Sequence, residues 1–185
     1  MHEHHHVPPE ILEAGLEAIK QSPKTAGVLR LIVCRPQAEL RETLHEARLD
    51  EVVGLVGDSW SQRGSSKTAD GSANPEMQIT VINARAIALL ANSPERWPLA
   101  GDQLFVDLDL SNTNLPTGSR LRVGEAVIEI TAPPHTGCAK FKERFGADAL
   151  AFVNSPVGRE LNLRGVHARI TTGGAVRVGD LVVKL

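Results

Sequence analysis

From residue 103 onwards, most of the chain consists of short segments in which apolar and polar residues alternate. A period of two is typical of strands with one buried face, and glycines between such segments mark tight turns. The predicted strands cover residues 103–110, 119–123, 125–130, 166–171, 175–178 and 181–184. A succession of short strands joined at glycines favours a barrel or a strongly bent sheet.

The first hundred residues add helices and further strands. Two prolines at positions 8 and 9 open a helix that we expect to reach about Gln21, although Gly15 weakens it. Asn83 is a suitable cap for a second helix, over 84–91. Strands are predicted at 27–34 and 78–82, a helix or a long connection at 38–49, and a mobile Ser- and Gly-rich loop at 61–75.

The segment between the strands at 125–130 and 166–171 contains the best candidate for chemistry, Cys138. Two prolines at 133 and 134 end the preceding strand, and Thr136 is then the expected cap of a helical insert that reaches about Asn154. Cys138 would lie in its first turn, where free N–H groups and the helix dipole favour a thiolate. The basic or potentially basic side chains around it are His135, Lys140, Lys142 and Arg144.

Both cysteines have a structural alternative. A free cysteine often packs as a small hydrophobe, and the basic residues after Cys138 would then form a solvated helix face. The rigid Pro-Pro-His-Thr-Gly turn favours a functional Cys138, because loops held by a scaffold often carry chemistry. Cys34 lies in an apolar run and is predicted to be a buried strand thiol. A disulfide between the two is left open, because it depends on geometry.

Composition argues against several function classes. The net charge is −2 and the pI about 6.4, so the chain as a whole has no electrostatic footprint for nucleic acid. Only 3% of residues are aromatic, too few for a base-stacking platform. We see no secretory signal and no apolar stretch that could span a bilayer, so we expect no membrane partner and a cytoplasmic location with reduced thiols. No P-loop, dinucleotide fingerprint or zinc-finger spacing is present in the sequence.

The order of several short motifs resembles the MOSC domain, the module named for the C-terminal part of molybdenum cofactor sulfurases. The diagnostic match is Gly137-Cys138-x-Lys140-Phe141, because the family has a cysteine at the end of a strand. The other matching segments are Gly57-Asp58-Ser59-Trp60, residues 100–107, Leu115-Pro116-x-Gly118 with 121–127, and residues 164–169 with Gly174 and 178–180. The similarity is greatest to small stand-alone bacterial members.

The resemblance implies a fold and a function. It implies an α+β chain, a mostly antiparallel β-barrel of MOSC type with short helices inserted, with a tail and helix in 1–26 and the MOSC domain in 27–185. It also implies binding of the molybdenum cofactor, through Cys138 as a metal ligand or a sulfur carrier. The sulfurases' aminotransferase-like domain does not match here, so we expect no pyridoxal phosphate. A separate protein would then supply electrons or sulfur.

Three functions remain open at this point: a molybdenum-dependent oxidoreductase or sulfurtransferase, a metal-free cysteine-dependent activity, and a non-catalytic module for a small anion or a sulfur compound. Cys138 is the predicted catalytic residue and the predicted metal ligand. Asp102 is interpreted as a turn residue, and the histidine-rich N-terminus receives no catalytic role. The predicted cofactor-binding residues are His135, Thr136, Gly137, Lys140, Arg144, Arg63 and Arg85.

Overall fold

The computed structural model describes residues 6–185, so the histidine tract before His6 lies outside the described residues. In chain order, the strands are β1 (Ala26–Cys34), β2 (Glu42–Leu44), β3 (Glu46–Asp50), β4 (Gly54–Leu55), β5 (Ile79–Asn83), β6 (Leu104–Asp107), β7 (Arg120–Val123), β8 (Ala126–Ile130), β9 (Val166–Thr172), β10 (Gly174–Arg177) and β11 (Leu181–Lys184). The helices are α1 (Pro9–Ala14), α2 (Leu16–Lys20), α3 (Ala84–Ala91), α4 (Ala139–Phe145), α5 (Ala147–Asn154) and α6 (Pro156–Glu160). Short 3-10 helices cover Ser59–Gln62, Pro75–Met77 and Pro94–Ala100.

Within the described residues, seven strands close into a barrel in the order β11-β7-β8-β9-β5-β6-β1, with β1 paired to β11. The β5–β6 pair is parallel and every other pair in the ring is antiparallel. Strand β2 extends β1 beyond the barrel, and β10, β3 and β4 form a second small sheet. The predicted mostly antiparallel barrel with inserted helices is confirmed.

Alternation along the strands separates two cores. Leu104 and Val81 belong to a cluster inside the barrel, whereas their neighbours Phe105 and Ile82 face outward. The outward residues pack against the helices, including Leu12 of α1 and Phe141 of α4. Successive side chains on a strand point to opposite faces, so each strand that helices cover contributes to both cores.

Local signals account for some elements and not others. Asn83 caps α3, because its side-chain oxygen accepts hydrogen bonds from the N–H groups of Arg85 and Ala86. The first helix is interrupted at Gly15, as its sequence indicates. Residues 38–49, open between a helix and a connection, contain β2 and part of β3. No described helix is both long enough and apolar enough to cross a bilayer.

The helical insert between β8 and β9 begins later than expected. Cys138 itself is the N-cap residue of α4, so the prediction that Thr136 caps the helix is wrong. Two further helices, α5 and α6, follow before β9. The two prolines still end β8, and the extended residues after it carry His135, Thr136 and Cys138 to one end of the barrel.

Candidate functional site

Cys138 is exposed and lines a cleft of about 740 Å³ at this end of the barrel. The cleft wall comes from the residues after β1, the loop after the first 3-10 helix, the segment before β6, and the start of α4. Cys34 is buried, and both thiols are free, so the open question of a disulfide is answered: none forms. An accessible thiol therefore lies in a concave site of the size that small molecules occupy, about 300–1,000 Å³.

The cleft is strongly basic. Among residues 6–185, seven arginine and lysine side chains line it, whereas Glu39 is the one acidic residue that does. The seven are Arg35, Arg41, Arg63, Lys67, Lys140, Arg144 and Arg164. Because the whole chain has a net charge of −2, this positive charge is concentrated locally, and it favours an anionic guest.

Arg35 is fixed in the cleft wall by a buried carboxylate. Asp58 is fully buried, and its Oδ2 accepts hydrogen bonds from the N–H and the Nε of Arg35, each at 2.9 Å. Asp58 also caps the 3-10 helix that starts at Ser59, by accepting from the N–H of Trp60. Arg63 lies 3.6 Å from the same carboxylate. The Gly57-Asp58-Ser59-Trp60 segment thus positions two cations.

A buried polar network forms the floor. Arg164 Nη1 donates to Asp102 Oδ2 at 2.6 Å, and Arg164 Nη2 donates to the carbonyl of Ala100 at 2.9 Å. Asp102 is fully buried, so it is not simply a turn residue. Burial raises the pKa of its carboxyl group, an effect that the charge of Arg164 opposes.

Two histidines pack beside this ion pair. The rings of His135 and His167 have centroids 4.5 Å apart, and His135 Nδ1 lies 3.4 Å from Asp102 Oδ1. Burial, together with the positive charge of Arg164, lowers the pKa of His135 well below 6.5 and that of His167 to about 4. Both imidazoles are therefore neutral at pH 7. His135, a predicted cofactor-binding residue, can therefore exchange hydrogen bonds with a guest, but it brings no charge.

A second cavity, of about 240 Å³, is lined by the same two histidines and Arg164. The two cavities share Pro134, His135, Thr136, Arg164 and His167. The smaller one is lined mainly by uncharged side chains, among them Asn112, Thr131 and Val153. The histidine pair and Arg164 thus border both a basic cleft and a largely uncharged cavity.

Comparison with known proteins identifies the family. The sequence model of the MOSC domain matches residues 67–183, more than half of the chain. This chain belongs to the MOSC domain family. The match includes Lys67, Asp102, Cys138 and His167 of the site, while β1 and Arg35 precede it.

Solved structures of low sequence identity share the MOSC fold. The structure of YuaD from Bacillus subtilis superposes with a TM-score of 0.63 at 16% identity, over 85% of this chain and 94% of that one. For YiiM from Escherichia coli the TM-score is 0.54 at 20% identity, over 85% of this chain and 69% of that one. YiiM from Geobacillus stearothermophilus gives 0.52 at 12% identity, with 89% and 74% covered. No curated protein matches.

In this MOSC domain, five of the predicted ligand-binding residues line the basic cleft together with Cys138. They are Arg63, His135, Thr136, Lys140 and Arg144. Lys140 and Arg144 reach the same carboxylate, that of Glu39, as their i, i+4 spacing on one helix face indicates.

Two predicted ligand-binding residues lie elsewhere. The N–H of Gly137 donates to Asn154 Oδ1 at 3.0 Å, so it holds the turn and does not line the cleft. Arg85 Nε donates to Asp107 Oδ1 at 2.8 Å, and its Nη1 donates to the carbonyl of Ala18. A cation in the first turn of a helix is unfavourable unless an anion lies nearby. For Arg85 in α3, that anion is the carboxylate of Asp107.

Sequence reasoning missed several residues of the cleft. Arg35 and Arg41 lie at the two ends of a segment that contains a proline and an alanine and carries no recognised motif. Arg164 and His167 belong to the segment 164–169 that matches the MOSC family, but neither was predicted as a site residue. A usable signal was present in Asp58 and Asp102. Each of these two aspartates follows a glycine, and each pairs with an arginine that lies far away in the sequence. Only the fold reveals these two pairings.

Proposed function

We propose that this MOSC domain binds the molybdenum cofactor in the basic cleft, with the thiolate of Cys138 as the protein ligand of the metal. The observation that carries the proposal is an exposed thiol in a cleft with seven basic side chains. Molybdopterin carries a phosphate and a dithiolene, so its site needs cations and one soft ligand.

The donor set fits a metal that arrives with part of its ligand shell. Within residues 6–185, no group of three or more His, Cys, Asp or Glu side chains is arranged to hold a bare metal ion. A metal already bound by two dithiolene sulfurs requires fewer ligands from the protein, and a single thiolate is a suitable soft donor. The volume of the cleft, about 740 Å³, is also sufficient for an organic cofactor.

The chain's own residues divide the remaining work. We assign the neutralisation of a phosphate to Lys140, Arg144 and Arg63, and Thr136 lines the same cleft. When bound, the cofactor supplies a redox-active metal centre. His135 and His167, neutral and beside that centre's compartment, can donate or accept hydrogen bonds with a substrate.

The exposure of Cys138 supports a second function, sulfur carriage. In that reaction the thiolate takes a sulfane sulfur atom from a donor and becomes a persulfide, and the donor keeps the electron pair of the broken bond as its own thiolate. A separate protein is then needed as sulfur donor, as the redox function needs a separate electron donor. A third outcome is a non-catalytic module that holds a small anion or a sulfur compound.

Metal analysis and intact mass separate these functions. The wild type, Cys138→Ser and the control Cys34→Ala are purified from a host that makes the cofactor. Cofactor binding predicts about one molybdenum per chain in the wild type and the control, and loss of most of it in Cys138→Ser. A metal-free wild type whose mass increases by one sulfur atom at Cys138 supports sulfur carriage instead. Equal molybdenum in wild type and Cys138→Ser would falsify the ligand role.

A further inference from the structure

The carboxylate of Glu39 lies among cations of the cleft beside Cys138. Lys140 Nζ is 2.5 Å from Glu39 Oε1, and Arg144 Nη2 is 2.8 Å from Glu39 Oε2. Arg41 Nη1 lies 3.9 Å from Oε2. Two oxygens of one anion are thus held by cations from α4 and from the residues after β1.

The two partners of this contact differ in exposure. Glu39 is exposed, with 61% of its side chain accessible, whereas the side chains of Arg144 and Arg41 are only 17% and 15% accessible. Arg144 is fixed further by donating from Nη1 to the carbonyl of Leu99. Arg144 and Arg41 are therefore part of the fixed wall, whereas the carboxylate and Lys140 meet on the solvent side.

Glu39 lies in a loop and has an uncommon backbone conformation. Glu39 has a φ of +62°, a left-handed conformation that residues other than glycine adopt uncommonly. It lies between β1 and β2, in residues outside any helix or strand. Exposed ion pairs are weak and screened by salt, so a competing anion can displace this one.

We propose that Arg41, Lys140 and Arg144 form an anion-binding subsite, that Glu39 occupies it in the free protein, and that a doubly charged oxyanion such as a phosphate group displaces Glu39. The inference builds on the proposed anionic guest of the cleft and adds a built-in competitor. Lys140 lowers the pKa of Glu39 through a hydrogen bond and its charge, and Arg144 adds to the effect, so the competitor stays ionised at neutral pH.

The carboxylate of Glu39 explains how this part of the cleft can hold three cations close together in the free protein. A singly charged carboxylate, tethered by the chain, reduces the repulsion between Lys140, Arg144 and Arg41 until a guest arrives. A guest with two charges interacts more strongly with the same three cations than Glu39 does. The subsite therefore discriminates in favour of phosphate-like groups and against neutral or singly charged molecules.

The test is titration calorimetry with inorganic phosphate at low ionic strength, on the wild type and Glu39→Gln. In the wild type, phosphate binds only to the fraction of molecules in which Glu39 has left the subsite. Glu39→Gln should therefore raise the apparent affinity for phosphate by the inverse of that fraction, about three- to tenfold. The matched control is Glu46→Gln, because Glu46 is an exposed glutamate paired with Arg177 and does not line the cleft. Glu46→Gln leaves the affinity unchanged.

Two further variants make the outcome decisive. Lys140→Gln, at an exposed position, abolishes the gain when it is combined with Glu39→Gln. The titration uses inorganic phosphate alone, without cofactor or metal, so failure of the cofactor proposal and failure of this one are distinguishable. Equal phosphate affinity in Glu39→Gln and wild type, or a gain that persists in the double variant, overturns the inference.

Discussion

Arg164, which lines both cavities, forms a buried ion pair with Asp102, with Nη1 and Oδ2 2.6 Å apart. Removing one partner of such a pair leaves an uncompensated buried charge. We therefore expect Asp102→Asn to lower the free energy of unfolding by about 3–5 kcal/mol, measured by urea denaturation.

The matched control for Asp102→Asn is Asp107→Asn, because Asp107 pairs with the half-exposed Arg85. Solvent screens that pair, so the control should cost about 1 kcal/mol or less. If the two variants were equally stable, the ion pair would not be the element that holds the floor of the site.

His167 should make stability depend on pH. The native state keeps its imidazole neutral down to about pH 4, whereas the unfolded chain takes up a proton near pH 6.5. The contribution of the neutral His167 side chain to the free energy of unfolding is complete above pH 6.5. It is lost as the pH falls towards 4, by about 3 kcal/mol. Urea denaturation at several pH values should show a shallower decline for His167→Gln than for the wild type.

The control for the pH experiment is His45→Gln, since His45 is exposed and lies outside both cavities. The stability of this variant should depend on pH as that of the wild type does. Acidic side chains also titrate in this range, but they are the same in all three proteins and cancel in the comparison. Parallel profiles for the wild type and His167→Gln would show that the buried histidine does not resist protonation.

Gly165 permits the close approach of His135 and Asp102. Its φ is +105°, and a Cβ there would lie 2.5 Å from the carbonyl oxygen of Val81, 3.2 Å from His135 Nδ1 and 3.3 Å from Asp102 Oδ1. Gly165→Ala should therefore be destabilising by more than the backbone strain alone, which is about 1–3 kcal/mol.

The control is Gly179→Ala, which introduces backbone strain without a steric clash. Gly179 has a φ of +96°, and a Cβ there meets no atom within 4 Å. Thermal unfolding should show a clearly lower Tm for Gly165→Ala than for Gly179→Ala. Similar Tm values would mean that the site can shift to accept the methyl group.

The sequence indicates those features that local chemistry determines. Asn83 at the start of α3, the interruption at Gly15 and the alternating strands all depend on neighbours within a few residues. The position of Cys138 between a strand and a helix is a local feature too. The exact cap was missed, because Cys138, in extended backbone, holds the N-cap position that a threonine at 136 suggests.

The composition of the site depends on long-range contacts and could not be predicted in the same way. Asp102 and Arg164 are 62 residues apart, and Glu39 and Lys140 are 101 apart. Strand β5 brings Asp102 and Arg164 together, because Val81 pairs with both Leu104 of β6 and Val166 of β9. Arg85 shows the same limit, because its anion proved to be Asp107 from a neighbouring strand.

X-ray absorption at the molybdenum edge tests the cofactor proposal most directly, with wild type and Cys138→Ser both loaded at excess cofactor. The account predicts one more sulfur neighbour of the metal in the wild type than in Cys138→Ser. Identical sulfur coordination in the two proteins would contradict it, because the thiol in the basic cleft would then not bind the metal.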